Sequence, residues 1–206
     1  MKPPAYWATA CAELAAADPL MAGLIARFPE ATLANRGDPF QTLARAIVGQ
    51  QISVKAADSV WARFEACAKT LRPEHVVTLE LDALAACGLS RRKAEYLHDL
   101  AGHFVDGRMR PARWKKMPDE AVIDELTDVR GIGRWTAEMF LIFNLQRPDV
   151  WPVDDIGLQK AVALHYLKGE RPTPAALREH GVRHAPWRTV ATWYLWRSLD
   201  PGVVQY

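Results

Sequence analysis

Two adjacent carboxylates, Asp154 and Asp155, stand where a predicted helix begins, directly after an apolar stretch that ends at Val153. A single aspartate is sufficient to cap a helix, because its side chain accepts a hydrogen bond from an exposed backbone N–H group. A second charge among apolar neighbours costs free energy, so its presence suggests that it has a partner or a function. Spacing alone therefore leaves two interpretations of Asp155 open, a helix cap and a carboxylate that performs chemistry.

A turn with the sequence Gly131-Ile132-Gly133 joins two predicted helices and is flanked by Arg130 and Arg134. Glycine allows a tight backbone turn and lets a second backbone approach where a Cβ would interfere. The N–H groups at the start of the following helix point outward along the helix dipole, and this arrangement favours an anion. We interpret the turn as a candidate phosphate-binding site.

The chain has eight tryptophans, and each can serve either in an apolar core or as a flat surface on which a ligand stacks. Trp187 follows Pro186 at the start of a predicted helix, beside Arg188. Trp187 is a candidate for the wall of a binding pocket, and a position in the apolar core is an equally good interpretation. Trp193 and Trp196, farther along the same helix, are expected to pack in the core.

The elements that must position these residues are helices. Phe40, Leu43 and Ile47 follow the spacing of one helical face, and the pattern returns after Ser53, so the Gln50-Gln51-Ile52 turn joins two amphipathic helices. Further helices are predicted over residues 6–17, 20–28, 90–106, 119–126, 134–145, 155–167 and 187–199. No segment shows sustained two-residue alternation, so the predicted fold class is all-α.

Composition excludes several classes of protein. Half of the 206 residues are hydrophobic and 24% are charged, with 26 Lys and Arg against 24 Asp and Glu, which is typical of a packed core and not of a disordered chain. The three cysteines are too few and too widely spaced for a disulfide framework or an iron–sulfur cluster. With neither a membrane-length apolar segment nor a signal-peptide pattern, we expect a cytoplasmic protein.

Several motifs in their order along the chain resemble the helix-hairpin-helix base-excision glycosylases, particularly the 3-methyladenine DNA glycosylase II branch. The strongest likeness is Gly131-Ile-Gly-Arg-Trp-Thr-Ala137 followed by Pro152-Val-Asp-Asp155. Residues 43–53 and 88–97 are similar to two further segments of that family. The likeness covers most of the chain, from residue 40 to residue 196.

The resemblance implies an all-α HhH-GPD glycosylase fold, with two helical subdomains and the active-site cleft between them. It implies one glycosylase unit over residues 1–206, in which one subdomain covers residues 38–130 and the other is formed by residues 1–37 and 134–206. This would be the compact form of the enzyme, without the N-terminal β-rich domain of its two-domain bacterial relatives.

The resemblance also assigns roles to particular residues. Asp155 takes the position of the catalytic aspartate, which leaves Asp154 as the helix cap. Trp135, Met139 and Trp187 take positions in the pocket for the extruded base. Met139 stands where relatives carry Tyr, and because Met cannot donate a hydroxyl hydrogen bond, the substrate range stays open.

For DNA binding, the resemblance implies that Gln50 and Gln51 fill the gap left in the stack by an extruded nucleotide. The hairpin would grip phosphates, and its residues are Arg130, Gly131, Ile132, Gly133 and Arg134. Hairpins of this family can hold a monovalent cation on backbone carbonyls. No other metal and no cofactor is implied.

The implied function is that of a monofunctional DNA glycosylase, which acts as a monomer on double-stranded DNA and removes alkylated purines such as 3-methyladenine and 7-methylguanine. Relatives that also cleave the strand carry Lys where this chain has Trp135, so AP-lyase activity is not expected. One alternative is a glycosylase for hypoxanthine, an oxidised base or a mismatched pyrimidine. Another is a non-enzymatic DNA-binding protein. A third, a helical protein-interaction module, leaves the glycine turn unexplained.

Overall fold

The computed structural model describes residues 3–30 and 32–199, so parts of the predicted unit 1–206, and of its subdomain formed by residues 1–37 and 134–206, lie outside the described residues. Within those ranges the chain forms helices and no strand, which confirms the all-α prediction. The α-helices are Trp7–Ala17 (α1), Pro19–Arg27 (α2), Pro39–Gly49 (α3), Val54–Ala68 (α4), Pro73–Val76 (α5), Leu81–Ala86 (α6), Arg91–Val105 (α7), Pro111–Trp114 (α8), Asp119–Thr127 (α9), Arg134–Phe143 (α10), Ile156–Tyr166 (α11), Pro174–Gly181 (α12) and Arg188–Leu199 (α13). A short 3-10 helix covers Val182–His184.

Several helices begin where a short polar side chain accepts a hydrogen bond from an exposed backbone N–H group. Asp38, Ser53 and Ser90 cap α3, α4 and α7, and each accepts a hydrogen bond from the backbone N–H three residues later. The predicted helices agree with the observed ones to within two residues at each end. Apolar spacing does not reveal α5, α6, α8 and α12, because helices of four to eight residues are too short to show a repeating face.

The described residues up to 35 and from 141 onward form one compact unit, hereafter the first unit. Its α1, α2 and α11 each pack against α13. Residues 189–196 of α13 are buried on every face, as expected of a helix at the centre of a core. Trp7 meets Trp193 edge-on with ring centroids 5.8 Å apart.

Residues 36–140 form the second unit, in which α3 packs on α4 and α7. A chain of edge-on aromatic contacts runs through its core from Phe40 to Phe104, then to Trp114 and Phe140, with ring centroids 5.4, 6.2 and 5.3 Å apart. Trp114 is fully buried, and its indole N–H donates to Glu125 at 2.8 Å.

The division between the units falls within α10, whereas the predicted boundary lies just ahead of it. The cleft between two subdomains stays a prediction.

No helix in the described part of the chain is both long and apolar enough to cross a membrane.

Candidate active site

Asp155 is a buried carboxylate in the first unit, with 3% of its surface exposed. It immediately precedes α11, and its Oδ1 accepts a hydrogen bond from the backbone N–H of Leu158 at 2.6 Å. The prediction that Asp154 caps this helix is therefore wrong. Because the first helical residue is Ile156, the capping position falls on Asp155, and Asp154 is left exposed in the preceding turn.

A second donor reaches the same oxygen. The indole Nε1–H of Trp196 donates to Asp155 Oδ1 at 2.7 Å, and its ring is stacked on Phe143 with centroids 6.0 Å apart and an interplanar angle of 10°. A Cβ at Gly157 would lie 3.0 Å from the Trp196 ring and 3.1 Å from Asp155 Oδ1, so a glycine suits this close packing. The two N–H groups compensate the charge of a carboxylate that lies away from water.

Trp187, also in the first unit, lies just before α13 and is half-buried. Its indole N–H donates to Glu13 Oε2 at 2.6 Å, and its ring is stacked on Tyr6 with centroids 5.9 Å apart and an interplanar angle of 18°. These two contacts fix the plane of the ring. The other predicted pocket residues, Trp135 and Met139, belong to the second unit.

Trp135 and Met139 lie one turn apart on α10 and therefore share a face of that helix. Met139 is 7% exposed, whereas 39% of the surface of Trp135 is exposed. An exposed indole of this size is a suitable surface for stacking a flat ligand.

The predicted phosphate-binding turn lies between α9 and α10 in the second unit. Gly131 has a φ of +88°, and a Cβ there would lie 2.1 Å from the ring of Tyr96, so both conformation and space require glycine. Val129 and Ile132 are buried and anchor the turn. A Cβ at Gly133 would meet nothing within 4 Å, so the space beside this residue is open.

The two arginines that flank the turn differ in their partners. The backbone N–H of Arg130 donates to Asp99 Oδ2 at 2.8 Å, which ties the turn to α7. The guanidinium of Arg134 binds both oxygens of Glu120, at 2.9 and 2.6 Å, and Glu138 at 3.1 Å. These bonds with Glu120 hold the pKa of Arg134 above its ordinary range, so its charge is directed to carboxylates within the protein.

The Gln50-Gln51 turn, which follows α3, is brought against the glycine turn. Gln50 Nε2 donates to the carbonyl of Gly131 at 2.8 Å. Lys93 Nζ donates to the carbonyls of Val48 and Gln50 at 2.8 and 2.7 Å, where the α3 helix ends. Gln51 is exposed and has a φ of +58°, which is uncommon for a residue with a side chain.

A pocket of about 460 Å³ opens beside these two turns in the second unit. Its lining includes Gln50, Gln51 and Gly131 of the two turns, together with Arg92, Lys93 and Tyr96 of α7. Burial lowers the pKa of Lys93 from its ordinary value. Two basic residues and an aromatic ring beside a glycine turn make a surface suited to a nucleic-acid backbone.

The sequence of residues 44–186 matches the HhH-GPD superfamily of base excision DNA repair proteins. The chain belongs to this superfamily. It is 34% identical over 166 residues to DNA-3-methyladenine glycosylase 1 of Schizosaccharomyces pombe, a match that covers 78% of this chain and 72% of that protein. The predicted membership is thereby confirmed.

Solved structures of HhH-GPD proteins show the same fold. The crystal structure of DNA-3-methyladenine glycosidase from Bacillus halodurans superimposes with a TM-score of 0.79 and 37% identity, over 86% of this chain and 84% of that one. The 3-methyladenine DNA glycosylase of Schizosaccharomyces pombe in complex with abasic DNA superimposes with a TM-score of 0.79 and 29% identity, over 95% of this chain and 100% of that one.

Sequence reasoning missed several residues of this HhH-GPD chain that hold the candidate site together. Trp196 is buried as predicted, but its N–H serves Asp155. A buried indole N–H needs a hydrogen-bond acceptor, so a tryptophan predicted to lie in the core could have been paired with a candidate buried aspartate. Lys93 and Tyr96 stand in a segment already singled out for its family likeness, yet nothing in the spacing indicates that they contact the two turns.

The monovalent cation of the HhH-GPD hairpin stays a prediction. The carbonyl of Val129 accepts from the N–H of Ile132 at 3.1 Å, and that of Gly131 accepts from Gln50, so each already has one donor. A carbonyl has two lone pairs and can still bind a cation. Within residues 3–30 and 32–199, no group of three or more His, Cys, Asp or Glu is placed to hold a metal ion.

Proposed function

We propose that this chain is a monofunctional DNA glycosylase of base excision repair, which extrudes alkylated purines from double-stranded DNA and hydrolyses their N-glycosidic bond. The observation that carries this proposal is the buried carboxylate of Asp155, held by two N–H donors at the start of α11. The named relatives of the chain are DNA-3-methyladenine glycosylases, and they support the same substrate class, typified by 3-methyladenine and 7-methylguanine.

The chemistry requires a fixed negative charge. As the bond between base and sugar breaks, positive charge develops on the sugar, and a carboxylate beside C1′ stabilises it and orients the attacking water. Alkylation at N3 or N7 makes the purine cationic, so the base leaves without being protonated first. Asp155 supplies that charge from an orientation that is set before substrate binds.

By resemblance to the family, we assign three residues to the pocket for the extruded base: Trp135, Met139 and Trp187. Electron-rich indole rings favour a cationic purine through cation–π stacking, worth about 0.5–2 kcal/mol. The thioether of Met139 adds a polarisable contact without a hydrogen-bond donor. This composition discriminates by the charge of the base more than by hydrogen bonds to its edge.

DNA is held by the two turns of the second unit. Backbone N–H groups around Gly131 and Gly133 bind phosphates without reading sequence, as a repair enzyme for scattered lesions requires. A side chain of the Gln50-Gln51 turn fills the gap that base extrusion opens in the stack, and extrusion itself costs a few kcal/mol. Arg130 adds positive charge beside the hairpin, while Arg134 acts mainly by fixing the start of α10.

Strand cleavage is not part of the proposed activity. Relatives that cleave the strand carry a lysine that forms a Schiff base with the sugar, and this chain has Trp135 at that position. Lys93 Nζ lies against two backbone carbonyls and holds the Gln50 turn. The enzyme acts as a cytoplasmic monomer on nucleoid DNA and needs no cofactor.

The proposal is tested by incubating the protein with dimethyl-sulfate-methylated duplex DNA and measuring the free bases released. Asp155→Asn should bind DNA normally and release no methylated purine above background, because Asn still caps the helix but carries no charge. The matched control is Asp154→Asn, which removes the same charge from the adjacent exposed residue and should keep the activity. Abasic product should be cleaved only after alkali treatment.

Three outcomes would each contradict one part of the proposal. Wild-type DNA binding without release of methylated purines would favour another lesion, and defined duplexes with hypoxanthine or 8-oxoguanine would identify it. Equal activity of Asp155→Asn and wild type would remove Asp155 from the mechanism. A covalent complex trapped by borohydride would show lyase chemistry.

A further inference from the structure

Leu158 and Trp196, which both donate to Asp155 Oδ1, lie in different helices. The bond from Leu158 N is the one that any aspartate makes when it caps a helix. The bond from Trp196 Nε1 comes from a residue 41 positions away in the chain, and helix capping does not require it. Trp196 therefore adds a constraint that the helix start alone does not supply.

The position of Trp196 is itself closely fixed. Its side chain is 3% exposed in α13, and its ring lies parallel to that of Phe143. Gly157 leaves just enough room for the edge of the indole that carries Nε1, since a Cβ there would lie 3.1 Å from that atom. The direction of the N–H bond is set by packing on both sides.

Two donors on one oxygen determine how a carboxylate is turned. The capping bond places Oδ1 but leaves the group some freedom to rotate about the Cβ–Cγ bond. A second donor that reaches Oδ1 from a different element removes this freedom and so fixes the direction of Oδ2. Small errors in the orientation of a catalytic group cost large factors in rate.

We propose that Trp196 is a positioning residue for base excision, which turns the Asp155 carboxylate toward the reacting sugar through the indole N–H. This proposal rests on the function proposed above. It differs from the simpler interpretation of Trp196 as a core residue, in which its substitution would lower stability and leave the chemical step unchanged.

The first unit offers a matched control in Trp151. It is 7% exposed, and its Nε1–H donates to the carbonyl of Leu177 at 2.9 Å. Trp196→Phe and Trp151→Phe each remove one buried N–H···O bond and a similar volume. Only Trp196→Phe removes a donor from Asp155.

The experiment measures kcat and KM for release of methylated purines by wild type and both variants. We expect Trp196→Phe to lower kcat by about 10- to 100-fold with KM nearly unchanged. Trp151→Phe should stay close to wild type in both constants.

The outcomes separate this proposal from the one on which it rests. A wild-type protein that releases no base overturns the proposed function before any variant is compared. An active wild type, with Trp196→Phe matching Trp151→Phe in kcat, overturns the positioning role. If circular dichroism shows Trp196→Phe unfolded, Gly157→Ala perturbs the same bond from the opposite side, and a folded Gly157→Ala with wild-type kcat overturns the role as well.

Discussion

The neighbourhood of Asp155 in the first unit and the two turns of the second unit are built in opposite ways. At Asp155 the group proposed to act is a side chain, and N–H groups of Leu158 and Trp196 hold it in place. At the turns the functional groups belong to the backbone, and the side chains of Gln50 and Lys93 hold them in place. The first arrangement fixes a charge and the second fixes a surface.

This difference indicates how the two tasks of a glycosylase can be changed separately. Substitutions around Asp155 should alter the chemical step while the backbone stays as it is. Substitutions around the turns should alter the grip on DNA and the stability of the second unit, with the chemical step at saturating enzyme unaffected.

The largest expected effect is that of Gly131→Ala. The φ of +88° disfavours alanine, and the new Cβ would lie 2.1 Å from the Tyr96 ring, so the turn must move. We expect the free energy of unfolding to fall by about 2–4 kcal/mol. Urea denaturation measures this, and fluorescence anisotropy with a duplex containing an abasic analogue should show a loss of affinity.

Gly133→Ala is the control for this substitution, because its Cβ would meet nothing within 4 Å. It should leave stability within about 0.5 kcal/mol of wild type. If DNA approaches the turn here, Gly133→Ala still weakens binding. Equal losses of stability in both variants would show that the contact with Tyr96 does not hold the turn.

A smaller effect is expected for Lys93→Met, which keeps the apolar stem and removes the ammonium group. The carbonyls of Val48 and Gln50 each lose a charged donor, so unfolding free energy should fall by about 2 kcal/mol, as measured in urea. DNA affinity should fall by about tenfold, which is about 1.4 kcal/mol. Single-turnover base release at saturating enzyme should match wild type.

Arg92→Met, in the same pocket, removes an exposed positive charge that has no such structural task. It should reduce the salt dependence of DNA binding, because one positive charge near the phosphates is removed, while the stability of the protein is preserved. A slower single-turnover rate in Lys93→Met would mean that the turn contributes to base extrusion or to the chemical step as well as to DNA binding.

The sequence was most informative where the evidence is local. Apolar spacing reveals a helix of nine residues or more, and a glycine turn flanked by arginine is visible without knowledge of the fold. The capping role of Asp155 shows the limit of local evidence, because a helix start displaced by one residue transfers the cap from Asp154 to its neighbour. Helix propensities do not locate the first residue of a helix to within one position.

What the sequence could not predict are contacts between distant positions. The bond from Gln50 to Gly131 spans 81 residues, and the bond from Trp196 to Asp155 spans 41. Each depends on how helices pack, and neither partner has a neighbouring motif that points to the other. The residues proposed to do chemistry could be predicted from their types, whereas the residues that contact and orient them became visible only in the folded chain.

A pH effect should distinguish the two units. Burial lowers the pKa of His180 and of His184 to about 4, with Arg183 adding to the shift and Asp18 opposing it. The unfolded chain therefore binds more protons than the folded one between pH 6.5 and 4. The stability that the neutral histidines confer is complete above pH 6.5 and is lost as the pH falls toward 4.

For His184, which is 1% exposed, the loss between pH 7 and pH 5 should be about 2 kcal/mol. Hydrogen exchange at the two pH values should show earlier opening of α12 and α11 in the first unit than of α3 and α7 in the second. His184→Phe should reduce the acid sensitivity. Uniform opening of both units at pH 5 would contradict the assignment to this histidine pair.

The smallest effects concern the paired glutamines. Gln50→Ala loses the bond to the Gly131 carbonyl, so unfolding free energy should fall by about 1 kcal/mol, with base extrusion affected only through the looser turn. Gln51 is exposed at the tip of the turn, so Gln51→Ala should leave stability unchanged and slow extrusion if this residue fills the gap in the stack. The single-turnover rate on 7-methylguanine paired with cytosine measures both effects.

Replacing the opposite cytosine by an abasic site identifies the residue that fills the gap. Without a pairing partner the lesion needs less help to leave the stack, so the deficit of Gln51→Ala should shrink while that of Gln50→Ala persists. The reverse result would assign the gap to Gln50. The hydrogen bond to Gly131 would then have to break on DNA binding, and the turn would be a moving part instead of the fixed surface described above.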